Sequence, residues 1–389
     1  MEENVKLNMG IKSNNFCVNE EKQMDEFDIQ KSFYFPVCNK DEIERIFNIK
    51  NARDYLLKLR ADTIIDNMRL FRVYRNKYIA NEKNWSLEES FDDSHYKIFI
   101  KNLSDELREK SNKVTYGNIF SNNPNGKTFA TQYGPIITIS DSLTYFFKFM
   151  NLGLMDFNGR VPDSVCINSF RIAIRVFLRT EALDFLMDPR GIVPHDIALL
   201  IHSTIPYQMQ FIAGHEFSHY LLDHLSESKI SKKPIFYALF PNESDYKSLD
   251  TYNINQKQEF EADIQSIEWP NYNSADKRKI LESALIFFGS LDIFESVLHI
   301  IKPVNPYYNT SHPSALDRYK YLLSNIQYPK GFNVEDWERF LTTIDGFRRI
   351  LCKDISENPG LYRFYGSVYL AEPNTEWRGR RLIDRKDYY

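Results

Sequence analysis

The chain has 389 residues, enough for one large domain or two modest ones, and its 43% apolar content is ordinary for a soluble globular protein. Its net charge of −4 argues against nucleic-acid binding, which usually needs a basic domain or stripe. The four cysteines show no paired spacing, and the polar N-terminus lacks the apolar core of a secretory signal, so we expect a cytoplasmic protein without a disulfide framework.

The N-terminal part of the chain carries helix and strand patterns but no motif that indicates a function. Residues 1–30 are polar and rich in Asn, Glu and Lys, which predicts a flexible start. A mostly helical region is expected over 31–130, with a periodic apolar pattern between Asp41 and Arg75. The stretch 134–139 then has the composition of a β-strand.

Two longer helices are predicted in the middle of the chain. The first runs from Asp163 to Met187. The second is expected to begin at Ser203–Pro206, where hydroxyl side chains precede a proline, and to continue to His224 as a largely buried helix. Gly214, on this second helix, is interpreted either as room for the close approach of a neighbouring strand or as neutral.

The most informative motif is the pentad His215–His219, which reads His-Glu-Phe-Ser-His. Residues four apart lie on the same face of an α-helix, so His215 and His219 can hold one metal ion between them. Zinc binds imidazole nitrogen readily, and Glu216 is placed to act as a general base toward a water molecule. His224 lies on a different side of the helix and is expected to cap it or to support a ligand. The alternative interpretation of the pentad is two surface histidines.

A catalytic zinc site usually has three protein ligands, so a further ligand is expected elsewhere. The metzincin pattern fails because Leu225 occupies the position of its third histidine. Glu259 and Asp263 are four apart on a predicted helix, so one can bind the metal while the other accepts the N–H of a ligating histidine. Glu261 and Glu268 are alternative ligands, and a solvated acidic face is the alternative interpretation.

Three motifs in this order resemble the gluzincin metallopeptidases, in particular the HtpX and CAAX-prenyl-protease type. They are the pentad, the run Glu259–Asp263 and the run Ser311–Arg318, and together the resemblance covers about residues 205–325. The resemblance implies a zincin-like fold and the following roles: His215, His219 and Glu259 as zinc ligands, Glu216 as the base, Asp263 as support for a ligand, and His312 and Arg318 near the active site, stabilising the oxyanion or the ligand helix. His312 together with Pro313 is alternatively a simple helix start.

The sequence departs from the membrane-embedded members of that family, which carry several spanning helices. Its most apolar stretch, Ala284 to Ile301, contains Asp292, Glu295 and His299, so we predict an amphipathic core helix and no transmembrane segment. Bacterial proteins with the same motif order also include phage-exclusion Lit-type peptidases and ImmA/IrrE-type regulators, and the sequence is compatible with either.

In gluzincins a strand ahead of the zinc helix aligns an extended substrate, and the stretch 134–139 is interpreted here either as that strand or as an ordinary buried one. We therefore predict a mainly α protein with a small β-sheet (α+β) and a zincin-like metallopeptidase core. The predicted divisions are a flexible N-terminus over 1–30, a mostly helical region over 31–130, a metallopeptidase domain over 131–330 and a C-terminal extension over 331–389.

The leading functional hypothesis is a zinc-dependent endopeptidase acting on a protein or peptide substrate, with Glu216 as general base. The alternative is a regulatory or phage-defence protein whose zinc domain binds or cleaves one specific partner. A structural zinc site is a third hypothesis, which the sequence disfavours because such sites usually have four protein ligands.

Overall fold

The computed structural model describes residues 26–121, 125–224, 252–301 and 313–378. In these ranges the chain is mainly α-helical with one small β-sheet, which confirms the predicted fold class. Two short 3-10 helices, Glu82–Asn84 and Glu88–Ser90, follow helix α4. The α-helices are α1 (Glu26–Ser32), α2 (Lys40–Phe47), α3 (Ala52–Ile65), α4 (Met68–Asn81), α5 (Ser94–Lys101), α6 (Asp105–Ser111), α7 (Ser142–Leu154), α8 (Asp163–Phe177), α9 (His195–Leu221), α10 (Tyr252–Glu268), α11 (Ser274–Ile301), α12 (Ala315–Asn325), α13 (Val334–Glu357) and α14 (Gly360–Arg363).

The sheet has three strands, β1 (Thr115–Ile119), β2 (Gly126–Thr131) and β3 (Gly134–Ser140), in the order β1-β3-β2. Strand β3 pairs in parallel with β1 and antiparallel with β2. Because β3 is central, both of its edges are paired and it cannot align a substrate, so the substrate-strand interpretation of 134–139 is wrong and the buried-strand alternative is correct. The sheet also spans the predicted boundary at residue 130, and the division into domains remains a prediction.

Helix α9 lies at the centre of the fold. It packs against helices α5, α7, α10 and α11 and against strand β2. Residues on several of its sides are buried, which confirms the prediction that this helix is largely buried. The buried apolar residues around it belong to one connected core that extends along the chain from Val37 to Trp377. A central helix with neighbours on all sides can hold its side chains in fixed positions.

The start of α9 differs from the prediction. The helix begins at His195, and Pro206 lies inside it. The hydroxyl groups of Ser203 and Thr204, interpreted as caps, instead donate to the carbonyl oxygen of Leu200, one turn back in the same helix, at 2.8 and 3.3 Å. Hydroxyl side chains can bond to a preceding carbonyl as readily as they cap, and the sequence pattern does not distinguish the two.

Helix α8 is shorter than the predicted span Asp163–Met187 and ends at Phe177. Arg179 then adopts a left-handed backbone conformation with φ of 61°. The fully buried Arg175 side chain forms an ion pair with the Glu181 carboxylate, with Nε and Oε2 2.7 Å apart. The chain beyond the helix therefore turns back to bring a carboxylate to this buried cation, because a buried charge is stable only when it is paired.

Helix α11 is a core helix, as predicted. It is long and apolar enough to cross a membrane by length and composition, but 67% of its most apolar window is buried inside the fold. Two of its charged residues have protein partners: the Asp292 carboxylate lies 3.4 Å from Arg348, and the Glu295 carboxylate accepts from the backbone N–H of Ala315. No other described helix meets the same criteria for a membrane span.

Candidate metal centre

The pentad lies in the buried C-terminal half of α9. His215 is fully buried, Glu216 is 3% exposed, and the side chain of His219 is 16% exposed. The helix stacks the two imidazoles one turn apart, with 2.9 Å between their Nε2 atoms. The alternative of two surface histidines is therefore wrong, because both rings face the packed interior beside α10.

Helix α10 brings a carboxylate to the same point. Glu259 Oε2 lies 3.4 Å from His215 Nε2, and Glu259 Oε1 lies 3.5 Å from His219 Nε2. One donor atom from each of these three residues lies within 4.8 Å of the other two. Two imidazole nitrogens and a carboxylate oxygen thus converge in a group that can hold a metal ion, as predicted for these three residues.

Asp263 and Arg318 form a hydrogen-bonded chain on the Nδ1 side of His215. Asp263 lies one turn beyond Glu259 on α10, and its Oδ1 is 2.9 Å from His215 Nδ1. Arg318, on α12, donates from Nε to Asp263 Oδ2 at 2.8 Å, and its Nη1 lies 3.4 Å from Glu259 Oε2. All of these groups are buried, so the guanidinium balances carboxylate charge that would otherwise be costly to bury. The predicted positions of Asp263 and Arg318 near the site are therefore observed.

The electrostatics of the group favour a cation at His215. Burial disfavours the charged imidazolium, but the hydrogen bonds and negative charges of Asp263 and Glu259 outweigh it and raise the pKa of His215 to about 9. A carboxylate that accepts the Nδ1 proton leaves the Nε2 lone pair directed at the other ligands. The same negative charges that stabilise a proton here would also stabilise a metal cation.

The Glu216 side chain contacts strand β2. Thr128 Oγ1 donates to Glu216 Oε2 at 2.8 Å, whereas the buried Oε1 has no hydrogen-bond partner among the described residues. Gly126, two residues earlier on the same strand, is close as well: a Cβ atom there would lie 2.5 Å from Glu216 Oε1. Burial raises the pKa of Glu216. A buried, unpartnered carboxylate oxygen beside a metal-binding group is available to accept a proton.

The second histidine has a different kind of support. His219 Nδ1 lies 3.0 Å from His224 Nδ1, and His224 Nε2 lies 3.7 Å from Glu261 Oε2. His224 is 8% exposed, and burial together with the neighbouring His219 lowers the pKa of His224 to about 4. His224 therefore contacts one of the three residues that can hold a metal ion, which agrees with the supporting role considered for it, and the Glu261 carboxylate faces His224.

The remaining sequence predictions have mixed outcomes. His312 lies outside the described residues. Glu268, an alternative ligand, instead forms an ion pair with Lys277 at 2.7 Å. Gly214 does permit a close approach, but by helices rather than by a strand: a Cβ atom there would lie 2.8 Å from Phe99 Cε2 on α5 and 3.0 Å from Ser266 on α10.

Thr128 and Gly126 were not predicted as site residues. They precede Glu216 by 88 and 90 positions, and no motif marks them. The alternating strand pattern places them on one face of β2, but only the packing of β2 against α9 shows what that face contacts.

The donor set fits a catalytic zinc ion. Zinc takes imidazole nitrogen and carboxylate oxygen, and three protein ligands with a free position are typical of catalytic rather than structural sites. Each histidine has its Nε2 toward the group and its Nδ1 against another side chain, the arrangement by which ligand tautomers are set. The buried Glu216 carboxylate supplies a proton acceptor in addition to the three residues that can bind the ion.

Comparisons with known proteins identified no relative of this chain. No protein-family model, no curated protein and no solved structure matches this chain. The resemblance to the gluzincins therefore remains a prediction that depends on the three motifs.

Proposed function

We propose that this chain is a cytoplasmic zinc-dependent endopeptidase of the gluzincin type. The observation that carries the proposal is the convergence of His215, His219 and Glu259 beside the buried carboxylate of Glu216. One oxygen of that carboxylate has no hydrogen-bond partner among the described residues. When bound, zinc would polarise the scissile carbonyl group and acidify a water molecule. The substrate is a protein or peptide.

The ligands would hold the ion through His215 Nε2, His219 Nε2 and a Glu259 carboxylate oxygen. Asp263 accepts the Nδ1 proton of His215, which keeps that imidazole in the tautomer whose Nε2 is free to bind. Arg318 in turn fixes Asp263 through its Nε donor. These residues would therefore bind the metal ion and orient the ligand side chains, and they would take no part in proton transfer.

Glu216 would transfer the proton. Its Oε1 accepts the proton of the attacking water and returns it to the leaving amine, while Thr128 holds Oε2 and so keeps the carboxylate in one orientation. Burial raises the pKa of this carboxyl, which makes it a stronger base than an exposed glutamate. His312, which the family resemblance places near the oxyanion, would act as a donor there.

Strand β2 offers a place for an extended substrate. It is an outer strand of the sheet, and its outer edge has no strand partner in the described part of the chain. Its residues Gly126 and Thr128 contact Glu216, so a peptide added along this edge would pair with the strand that contacts the proposed base. Edge addition supplies backbone hydrogen bonds that any peptide can make, which suits an endopeptidase.

The first test measures bound metal. Wild-type protein, His215→Ala and Glu259→Ala are purified side by side without chelators, and their zinc content is determined by elemental analysis. We expect about one zinc per chain in the wild type, none in His215→Ala and sharply reduced binding in Glu259→Ala. Wild-type protein that contains no metal and takes up none on reconstitution would refute the proposal.

The second test separates chemistry from binding. Glu216→Gln should keep its zinc and lose turnover, because the amide cannot accept a proton. Unfolded casein and individual candidate proteins serve as substrates. Cleavage of casein supports a broad protease, whereas intact casein with one cleaved partner supports the regulatory or phage-defence alternative. Proteolysis that persists in pure Glu216→Gln would show that another group is the base.

A further inference from the structure

His224 is brought to the metal centre by the way helix α9 ends. The last turn closes with hydrogen bonds from Leu222 N to Ser218 O and from Asp223 N to Tyr220 O. Asp223 then has a φ of 58°, a left-handed conformation that a non-glycine residue rarely adopts. The chain therefore leaves the helix axis sharply between Leu222 and His224.

This turn decides where the imidazole of His224 lies. In a continued helix, residue 224 would be rotated about 140° around the axis from His219, since each residue turns the helix by about 100°. The left-handed residue Asp223 instead folds the chain back, so that His224 Nδ1 lies 3.0 Å from His219 Nδ1. His224 is 8% exposed in this position.

The two imidazoles fit together in only one arrangement if His219 binds a metal. His219 directs Nε2 toward His215 and Glu259, so its remaining proton is on Nδ1. His224 Nδ1 must then accept that proton, which places the proton of His224 on Nε2. Nε2 is the atom that faces the Glu261 carboxylate, at 3.7 Å. Each group thus has its proton on the side where its neighbour has a lone pair.

We propose that His224 is a positioning residue for the metal ligand His219. By accepting the Nδ1–H of His219, it fixes the tautomer and the ring orientation of that ligand, as Asp263 does for His215. This inference rests on the proposed metal site and assigns its two histidines separate supports. His215 is supported by a buried carboxylate and guanidinium, whereas His219 is supported by a neutral imidazole at the helix end.

The test compares two substitutions at the same position. His224→Leu removes the acceptor, whereas His224→Asn keeps an acceptor oxygen near the position of Nδ1. His202→Leu is the control, because His202 is exposed on the same helix. Zinc affinity is measured by competition with a chelating dye, the ligand geometry by the visible absorption of the Co²⁺-loaded proteins, and the fold by thermal unfolding of the metal-free proteins.

We expect His224→Leu to bind zinc about 10- to 100-fold more weakly than the wild type and to have an altered Co²⁺ spectrum. His224→Asn and the control should stay within about threefold of the wild type, and the metal-free melting temperatures should agree. Equal zinc affinity and spectra in wild type and His224→Leu would overturn the inference while leaving the proposed function intact. Equal losses in the Leu and Asn variants would also overturn it, because the acceptor would then be irrelevant. Absence of metal binding by the wild type would refute both.

Discussion

One hydrogen bond holds the side chain of the proposed base, Glu216, in its orientation. Thr128 is the donor to Glu216 Oε2, and both side chains are buried. Thr128→Val keeps the shape of the side chain but leaves that oxygen without its donor. We expect the free energy of unfolding to fall by about 1–3 kcal/mol and turnover to fall, while bound zinc stays at the wild-type level. Urea unfolding and elemental analysis measure these effects.

The matched control at this position is Thr128→Ser, which retains the hydroxyl group. It should recover most of the turnover and most of the stability lost by the valine variant. If the valine variant behaves like the wild type and the serine variant is impaired, the hydroxyl group of Thr128 does not hold Glu216, and packing of the methyl group is the property that matters.

The buried His95, which lies on α5, makes stability depend on pH. Burial lowers the pKa of His95 to about 4, although the charges of Asp93 and Asp92 act in the opposite direction. Its Nε2 lies 3.0 Å from Asn118 Oδ1. In the unfolded chain a histidine takes up a proton below about pH 6.5. The unfolded state therefore binds more protons between about pH 6.5 and 4, and stability falls as the pH falls through that window.

The variant His95→Gln isolates this contribution, because its amide can still donate to Asn118 but does not titrate. Between pH 7 and pH 5 the wild type should lose about 2 kcal/mol relative to the variant. Urea unfolding of both proteins across this range measures the difference. Parallel stability curves would show that His95 does not remain neutral in the folded protein.

Among the elements, the crossing of α9 and α10 determines whether the ligands meet. Gly214 precedes the first ligand, and a Cβ atom there would lie 3.0 Å from the Ser266 carbonyl oxygen on α10. Gly214→Ala should push apart the helices that carry His215 and Glu259. We expect it to cost about 1–3 kcal/mol of stability and to weaken zinc binding, measured by unfolding and by dye competition.

Gly346→Ala is the control for this element, because Gly346 is also helical but has open space around its Cβ position. Alanine is the better helix former, so this variant should gain up to about 1 kcal/mol with unchanged zinc affinity. A Gly214→Ala variant that behaves like the control would mean that α9 and α10 can separate without disturbing the ligands.

At the scale of the whole molecule, the site joins three helices that are distant in sequence. His215 lies on α9, Glu259 on α10, and Arg318 on α12 links both carboxylates of α10. A metal that binds only the folded chain stabilises it by mass action, by about 4 kcal/mol when the free metal exceeds its Kd a thousandfold. We expect zinc to raise the melting temperature and a chelator to lower it. The melting temperature of Glu259→Ala should change little with zinc or chelator. A change as large as that of the wild type would show that the metal binds elsewhere.

Two pairs of site residues could be predicted from the sequence because their spacing depends on local geometry. The spacing of His215 and His219 is a property of any α-helix, and so is that of Glu259 and Asp263. The fold class was also predictable, since long apolar patterns of helical period dominate the chain. The burial of α11 was predictable as well, because charged side chains within its apolar stretch are costly in a membrane.

The ends of helices were less predictable, because a hydroxyl or a proline near an expected boundary has more than one use. Ser203 and Thr204 bond back to Leu200 inside α9. Helix α8 ends at Phe177, and the loop that follows supplies the Glu181 carboxylate to the buried Arg175. In both cases a contact within a few residues competes with the expected boundary, and the sequence pattern does not show which of the two forms.

Sequence alone thus determined that His215 and His219 can share a metal ion and that Glu259 and Asp263 lie on one face of a helix, through the regular geometry of single helices. Tertiary structure decided what surrounds them: the contact of Thr128 and Gly126 with Glu216, the central place of β3, and the return of His224 to His219. These depend on how separate elements pack and on one left-handed residue at a helix end. Such contacts follow no repeating spacing in the sequence, and they exist only when the chain has folded.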